Sequence, residues 1–382
     1  MEGKTDIGCE IIDTPSKLKN FVRSLIYEKA LGVDLEADSM YHFKEKVCLI
    51  QMATKNISVI IDPLRIEDLS ALKPIFKRRD IQKIFHGADY DMRSLYRDFQ
   101  ITVNNLFDTQ LASRFLCFQE TGLEAVLKNK FHVSLDKKYQ RKDWSKRPLP
   151  EDMIAYAAKD VFFLVPLAEN LKAELKEKGR LSWVLEECEH LSKVRPIIKD
   201  TEPLYLKFKG AGKLNPRSLA VLEALLQYRR NVAQKKDKPL FRILGSRSLM
   251  DLAVKKPSSL KQLDRTKILS PRQISMYGQE LIQVVADAMK LRTQDLPVYP
   301  RKKATTVPVE VAERITALRK WRDIQAKKLK LDPTLICSKS LISTIAMQRP
   351  MNTNSLVKIN ELKDWQIRKF GNDIINILQR TV

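Results

Sequence analysis

The chain has 382 residues, 44% of them apolar, which exceeds what one small domain needs and suits two or three packed cores rather than a disordered polymer. Lys and Arg outnumber Asp and Glu by 69 − 46 = 23, a net charge of +23 that points to a polyanionic partner such as nucleic acid. Cys9, Cys48, Cys117, Cys188 and Cys337 are odd in number, far apart and never in a C-x-x-C pair. That pattern excludes a disulfide framework or a cysteine zinc site and suits reduced thiols in a cytoplasmic protein. The N-terminus carries no secretory pattern and no apolar run nears the ~20 residues of a membrane span, so a soluble intracellular chain is expected.

In chain order, Asp13-Thr14-Pro15 opens a helix through Leu25, with Asp13 or Thr14 as cap. Gly32–Glu36, Val47–Met52 and Ile57–Asp62 read as strands. Their short spacing predicts an antiparallel meander. A helix over Leu69–Phe76 and a strand over Lys83–His86 follow, with helices beyond, and Pro166 is expected to kink or end the helix that carries Tyr156 and Asp160. The reading is an α/β domain over residues 1–205.

The second half is helical and repeats itself. Arg217–Arg230 echoes Val311–Arg322, and Ser246–Ala253 echoes Ser338–Ala346, so a duplicated small all-helical module is expected over 210–295 and 309–382. A stiff basic linker spans 296–308, with Pro297, Pro300, Arg301, Lys302, Lys303 and Pro308.

Three acidic clusters carry the chemistry. Asp34 and Glu36 stand two apart on a strand, so both leave one face while Val33 and Leu35 take the other. Asp91 opens a helix, and Asp89 competes with it as ligand or as cap. Tyr156 and Asp160 are four apart and share one helical face, which the small residues Ala155, Ala157 and Ala158 leave approachable. Carboxylates gathered from distant segments hold hard divalent cations, and two such ions suit phosphodiester hydrolysis, with Asp34 as the natural bridge. There is no phosphate loop, dinucleotide fingerprint or G-x-S-x-G.

These residues resemble the DEDD 3′→5′ exonucleases of the ribonuclease D type. Asp34-x-Glu36 matches the first motif and His86 followed five residues later by Asp91 matches the second, which selects Asp91 over Asp89. Tyr156-x-x-x-Asp160 matches the third motif of the tyrosine subclass. Asp143-Trp144-Ser145-Lys146-Arg147-Pro148-Leu149 is also similar to that family, and the helical repeats resemble tandem HRDC domains. The resemblance implies an RNase H-like fold, two Mg²⁺ or Mn²⁺ ions on Asp34, Glu36, Asp91 and Asp160, and Tyr156 positioning or deprotonating the attacking water. It further implies trimming of RNA 3′ ends, including tRNA precursors. His86 is expected to pack or hydrogen-bond rather than ligate. One departure is Ala37-Asp38, where many relatives have an aromatic directly after the Glu, which leaves Asp38 as an acidic neighbour of the site.

Lys235, Lys236, Arg301, Lys302, Lys303, Lys327, Lys328 and Lys330 are candidate phosphate contacts. A monomer is expected. Competing readings are a DNA exonuclease of repair and a nucleic-acid-binding scaffold with a decayed catalytic domain.

Overall fold

The computed structural model describes residues 9–136, 138–196, 202–300 and 307–381. Six strands form one sheet: β1 (Cys9–Ile12), β2 (Ala30–Ala37), β3 (Val47–Ala53), β4 (Ser58–Ile61), β5 (Gln82–Phe85) and β6 (Leu106–Asp108). Their spatial order is β1-β4-β3-β2-β5-β6. β2, β3 and β4 form the expected antiparallel meander, while β1 pairs parallel to β4, and β5 and β6 extend the sheet parallel to β2. β3 is buried along its whole length, as a strand covered on both faces must be.

Among the described residues, eight α-helices accompany the sheet: α1 (Pro15–Ser24), α2 (Leu72–Lys77), α3 (Asp89–Phe99), α4 (Thr109–Phe115), α5 (Leu123–Phe131), α6 (Glu151–Phe162), α7 (Leu164–Glu177) and α8 (Leu181–Ser192). Thr14 caps α1 by accepting from the Lys17 amide, with Pro15 in the first turn. α2 begins at Leu72 rather than Leu69, which puts Pro74 in a first turn where its missing N–H costs nothing. The break expected of Pro166 is present: α6 ends at Phe162, the residue whose carbonyl Pro166 cannot bond, and Pro166 sits in the first turn of α7.

The repeat is realised as two five-helix modules. The first has α9 (Pro216–Lys235), α10 (Leu240–Ile243), α11 (Ser246–Lys255), α12 (Leu260–Arg265) and α13 (Pro271–Met289). The second has α14 (Val309–Leu329), α15 (Pro333–Ile336), α16 (Lys339–Gln348), α17 (Thr353–Val357) and α18 (Asp364–Arg380). Internal bonds repeat as well. Arg229 donates to the Leu244 carbonyl and Gln273 to that of Ile243, while Arg322 donates to Cys337 and Gln366 to Ile336.

The chain packs as two compact units. One holds the sheet with its helices and the second module; the other holds the first module together with Asp38–Lys46. Within the former, Trp365 of α18 stacks on Trp183 of α8 at 4.7 Å and donates to Glu187, and Arg180 donates to the Leu329 carbonyl at the end of α14.

Candidate active site

β2 presents Asp34 and Glu36 on the face covered by α6, because Val33 and Leu35 point into the main core on the other side. Gly32 lies on that same α6-covered face, two residues before Asp34. A Cβ there would sit 2.8 Å from the Val161 carbonyl oxygen, so glycine is what lets α6 approach β2. α6 in turn brings Tyr156 and Asp160, both buried. Asp34, Glu36 and Asp160 each place a carboxylate oxygen within 4.8 Å of the others.

Asp91 lies in the first turn of α3 and is 7% exposed, whereas Asp89 is on the surface, paired with Arg93 at 2.8 Å. Asp89 does not cap the helix; Ala88 occupies that position. Asp108 does the holding instead. Its carboxylate accepts from the amides of Gly87, Ala88, Gln110 and Leu111, tying the turn before α3 to the start of α4. His86 hydrogen-bonds Thr109 Oγ1 and the Thr121 carbonyl at 2.9 Å each, which is the structural part expected of it.

Electrostatics bind the four acids into one cluster. Burial, then the charge of Asp91, pushes Asp34 up to about 8. Burial, then Asp34, Asp160 and Asp91, pushes Glu36 up to about 10. Asp91 rises to about 7 through burial and the charge of Asp108, and Asp160 to about 7 through burial and Asp34. Tyr156 is also pushed up, by burial and then by Asp160. Among the described residues, the charges acting on these four carboxylates are all negative, so the cluster lacks a counter-charge that a divalent cation would supply. An all-oxygen donor set of this kind fits a hard cation.

Tyr156 is held in place by rings. Trp144 packs at 6.1 Å between centroids and Tyr139 at 5.7 Å. Trp144 is fully buried because Arg147 pins its segment, forking onto Asp62 at 2.6 and 2.8 Å and donating to the carbonyls of Trp144 and Cys48. A cavity of ≈ 430 Å³ opens beside Tyr156 and Asp160, lined also by Gly122, Leu123, Lys128 and Gln140. That volume lies within the ~300–1,000 Å³ usual for small-ligand clefts.

Asp38 holds a loop. It is fully buried, accepts from the Lys46 amide at 2.8 Å and faces His42 and the Lys46 ammonium at 3.9 and 3.8 Å. It closes the Asp38–Lys46 loop, whose His42 and Phe43 amide both bond Asp237. Sequence reasoning missed Gly32, Asp62, Asp108 and Arg147. Only Asp108 carried a local signal, since an Asp directly before a helical segment is a capping pattern.

A 3′–5′ exonuclease profile matches residues 9–176, and the HRDC domain profile matches twice, over 218–285 and 311–378. Ribonuclease D of Haemophilus influenzae is 30% identical over 273 residues, covering 71% of this chain and 68% of that protein. The chain belongs to the ribonuclease D family. Ribonuclease D of Acidiphilium cryptum is 28% identical over 370 residues, covering 96% of this chain and 92% of its own length. The crystal structure of Escherichia coli RNase D, an exoribonuclease involved in structured RNA processing, aligns with a TM-score of 0.73 at 26% identity, over 97% of this chain and 99% of that one. The catalytic core of RRP6 from Trypanosoma brucei aligns with a TM-score of 0.65 at 29% identity, over 76% and 83% respectively. The chain is a 3′–5′ exoribonuclease with RNA as its substrate, in a family that depends on divalent metal. No described helix is long and apolar enough to cross a membrane.

Proposed function

We propose that Asp34, Glu36, Asp91 and Asp160 hold two divalent ions, Mg²⁺ or Mn²⁺, and that the site removes nucleotides from the 3′ ends of tRNA precursors and other structured RNAs. The observation that carries this reading is the convergence of Asp34, Glu36 and Asp160 within 4.8 Å, with Asp91 acting on the same charges. When bound, such ions polarise water and neutralise the leaving oxygen of an in-line displacement. The protein's own part is positioning. Asp34 and Glu36 would contribute from β2, Asp160 from α6 and Asp91 from the first turn of α3. Tyr156, held between Trp144 and Tyr139, directs its hydroxyl at the attacking water and aligns it with the phosphorus.

In this reading residues 1–205 are the catalytic domain, 210–295 and 309–382 are HRDC domains joined by the 296–308 linker, and the protein acts as a cytoplasmic monomer. The modules hold RNA through phosphate contacts. Lys235, Lys236, Lys327, Lys328 and Lys330 serve here, although the Lys236 ammonium also sits over the Tyr277 ring at 4.6 Å. Arg301, Lys302 and Lys303 lie outside the described residues. Calorimetric titration with Mn²⁺ tests the site: two equivalents bind to the wild-type chain and fewer to Asp34→Asn. A single equivalent in the wild type would overturn the two-ion reading.

A further inference from the structure

Gln51 lies in the middle of β3, is 0% exposed, and among the described residues neither its Oε1 nor its Nε2 has a hydrogen-bond partner. Buried carboxamides are nearly always bonded, so one with both ends open calls for an explanation. The rest of β3 is Val47, Cys48, Leu49, Ile50, Met52 and Ala53, and an apolar side chain of similar size would suit that pattern better.

Register supplies the explanation. Gln51 is directly opposite Asp34 across the β2–β3 ladder. Antiparallel partners share a face, with Cβ atoms about 4.5–5.5 Å apart. Its direct neighbours on that face are otherwise apolar: Ile60 opposite it on β4, and Leu49 and Ala53 along β3, all buried, while Glu36 and Ser58 lie on the diagonals. Leu49 and Ile60 pack with Tyr156 and Ala157 of α6, which seals the face from solvent. Gln51 therefore does not read the substrate, and Asp34 is the polar group directly opposite it, nearer than the diagonal Glu36 and Ser58.

We infer that Gln51 is a positioning residue for Asp34, donating from Nε2 to the Asp34 carboxylate when that carboxylate turns onto a divalent cation. The bond fixes which oxygen lone pairs point at the ion, a task that hydrogen bonds around metal-binding carboxylates commonly perform. A neutral amide suits the place. A lysine there would compete with the cation, and a glutamate would add repulsion to a cluster of four acids. The inference rests on the reading of Asp34 as a metal ligand.

Gln51→Leu and Gln51→Met remove the amide at similar volume. Full-length wild type, both variants and Asp34→Asn are titrated calorimetrically with Mn²⁺ and melted without metal. Both variants are expected to melt at or above the wild-type temperature, since an unbonded amide has been removed from the interior. Both should bind Mn²⁺ about 10- to 100-fold more weakly and lose kcat on RNA with KM unchanged. Wild-type Mn²⁺ affinity in a folded variant overturns the inference. So does a melting temperature lowered in both variants, which would mark a packing role. Undiminished Mn²⁺ affinity in Asp34→Asn would overturn the ligand reading instead.

Discussion

Gly32 on β2 lies directly beneath the Val161 carbonyl at the end of α6: a Cβ at Gly32 would come 2.8 Å from that oxygen and 3.1 Å from the Leu164 Cβ. The obstacles are the end of α6 and the start of α7, so Gly32→Ala must push both away from β2. Asp34 and Glu36 would stay with the strand while Tyr156 and Asp160 moved off. The variant should lose about 1–3 kcal/mol of stability, as overpacked interiors do. It should also lose about 100-fold in kcat, the usual cost of ångström-scale misplacement, while keeping its affinity for RNA. Denaturant unfolding and steady-state kinetics on 3′-labelled RNA check the two halves separately.

Tyr156→Phe keeps the ring that packs on Trp144 and Tyr139 and removes only the hydroxyl beside Asp160. Melting temperature and Mn²⁺ affinity should match the wild type. kcat should fall about 100-fold or more, the range that positioned proton-handling groups contribute. A variant with unaltered kcat would remove Tyr156 from the chemistry.

The acidic cluster makes the metal-free protein sensitive to alkali. Asp34 stands at about 8 and Asp91 and Asp160 at about 7, against about 4 for a carboxyl group in an unfolded chain. The folded state therefore retains protons that the unfolded state has released. Stability from this source is complete below about pH 4 and is lost as pH rises through 7 and 8. After chelation, the melting temperature should fall from about pH 5 to about pH 9, and Mn²⁺ should restore it most at the alkaline end, where the cation takes the place of the protons. A metal effect that is largest at pH 5 would contradict this account.

Arg147 and Asp62 pair at the edge of the interior: the Asp62 side chain is 4% exposed and takes both bonds of the guanidinium fork. Arg147→Ala leaves that carboxylate with the Leu64 amide at 3.0 Å and the half-exposed Arg65 guanidinium at 4.0 Å, and should cost about 1–3 kcal/mol in urea unfolding. Arg147→Lys should recover little, because an ammonium cannot fork onto the carboxylate while also reaching the Trp144 and Cys48 carbonyls. In both variants the loosened Trp144 should lower kcat under conditions where the protein is still folded.

The meander, the carboxylate set and the duplicated modules were legible in the sequence because each has a local signature. Alternation put Asp34 and Glu36 on one face, four-residue spacing joined Tyr156 to Asp160, and shared basic, Pro and Ser-x-Ser-Leu positions marked the repeat. β1 and β6 escaped notice because four and three residues are too short for a periodic signal. Gly32, Asp108 and Gln51 were invisible for another reason. Each acts through a partner distant in sequence: Val161, the Gly87-Ala88 turn, and, as inferred here, the Asp34 carboxylate across the ladder. Asp38, left without a role by the sequence, accepts from the Lys46 amide across its loop.

The central claim is that four carboxylates and a tyrosine make this chain a metal-dependent exoribonuclease. The most direct measurement incubates purified protein with Mn²⁺ or Mg²⁺ and single-stranded RNA or DNA carrying a 5′ label, with Asp91→Ala as control. The prediction is a ladder of RNA products shortened stepwise from the 3′ end, abolished by chelation and by Asp91→Ala, with DNA degraded more slowly. Metal-independent shortening, or full activity in Asp91→Ala, would contradict it.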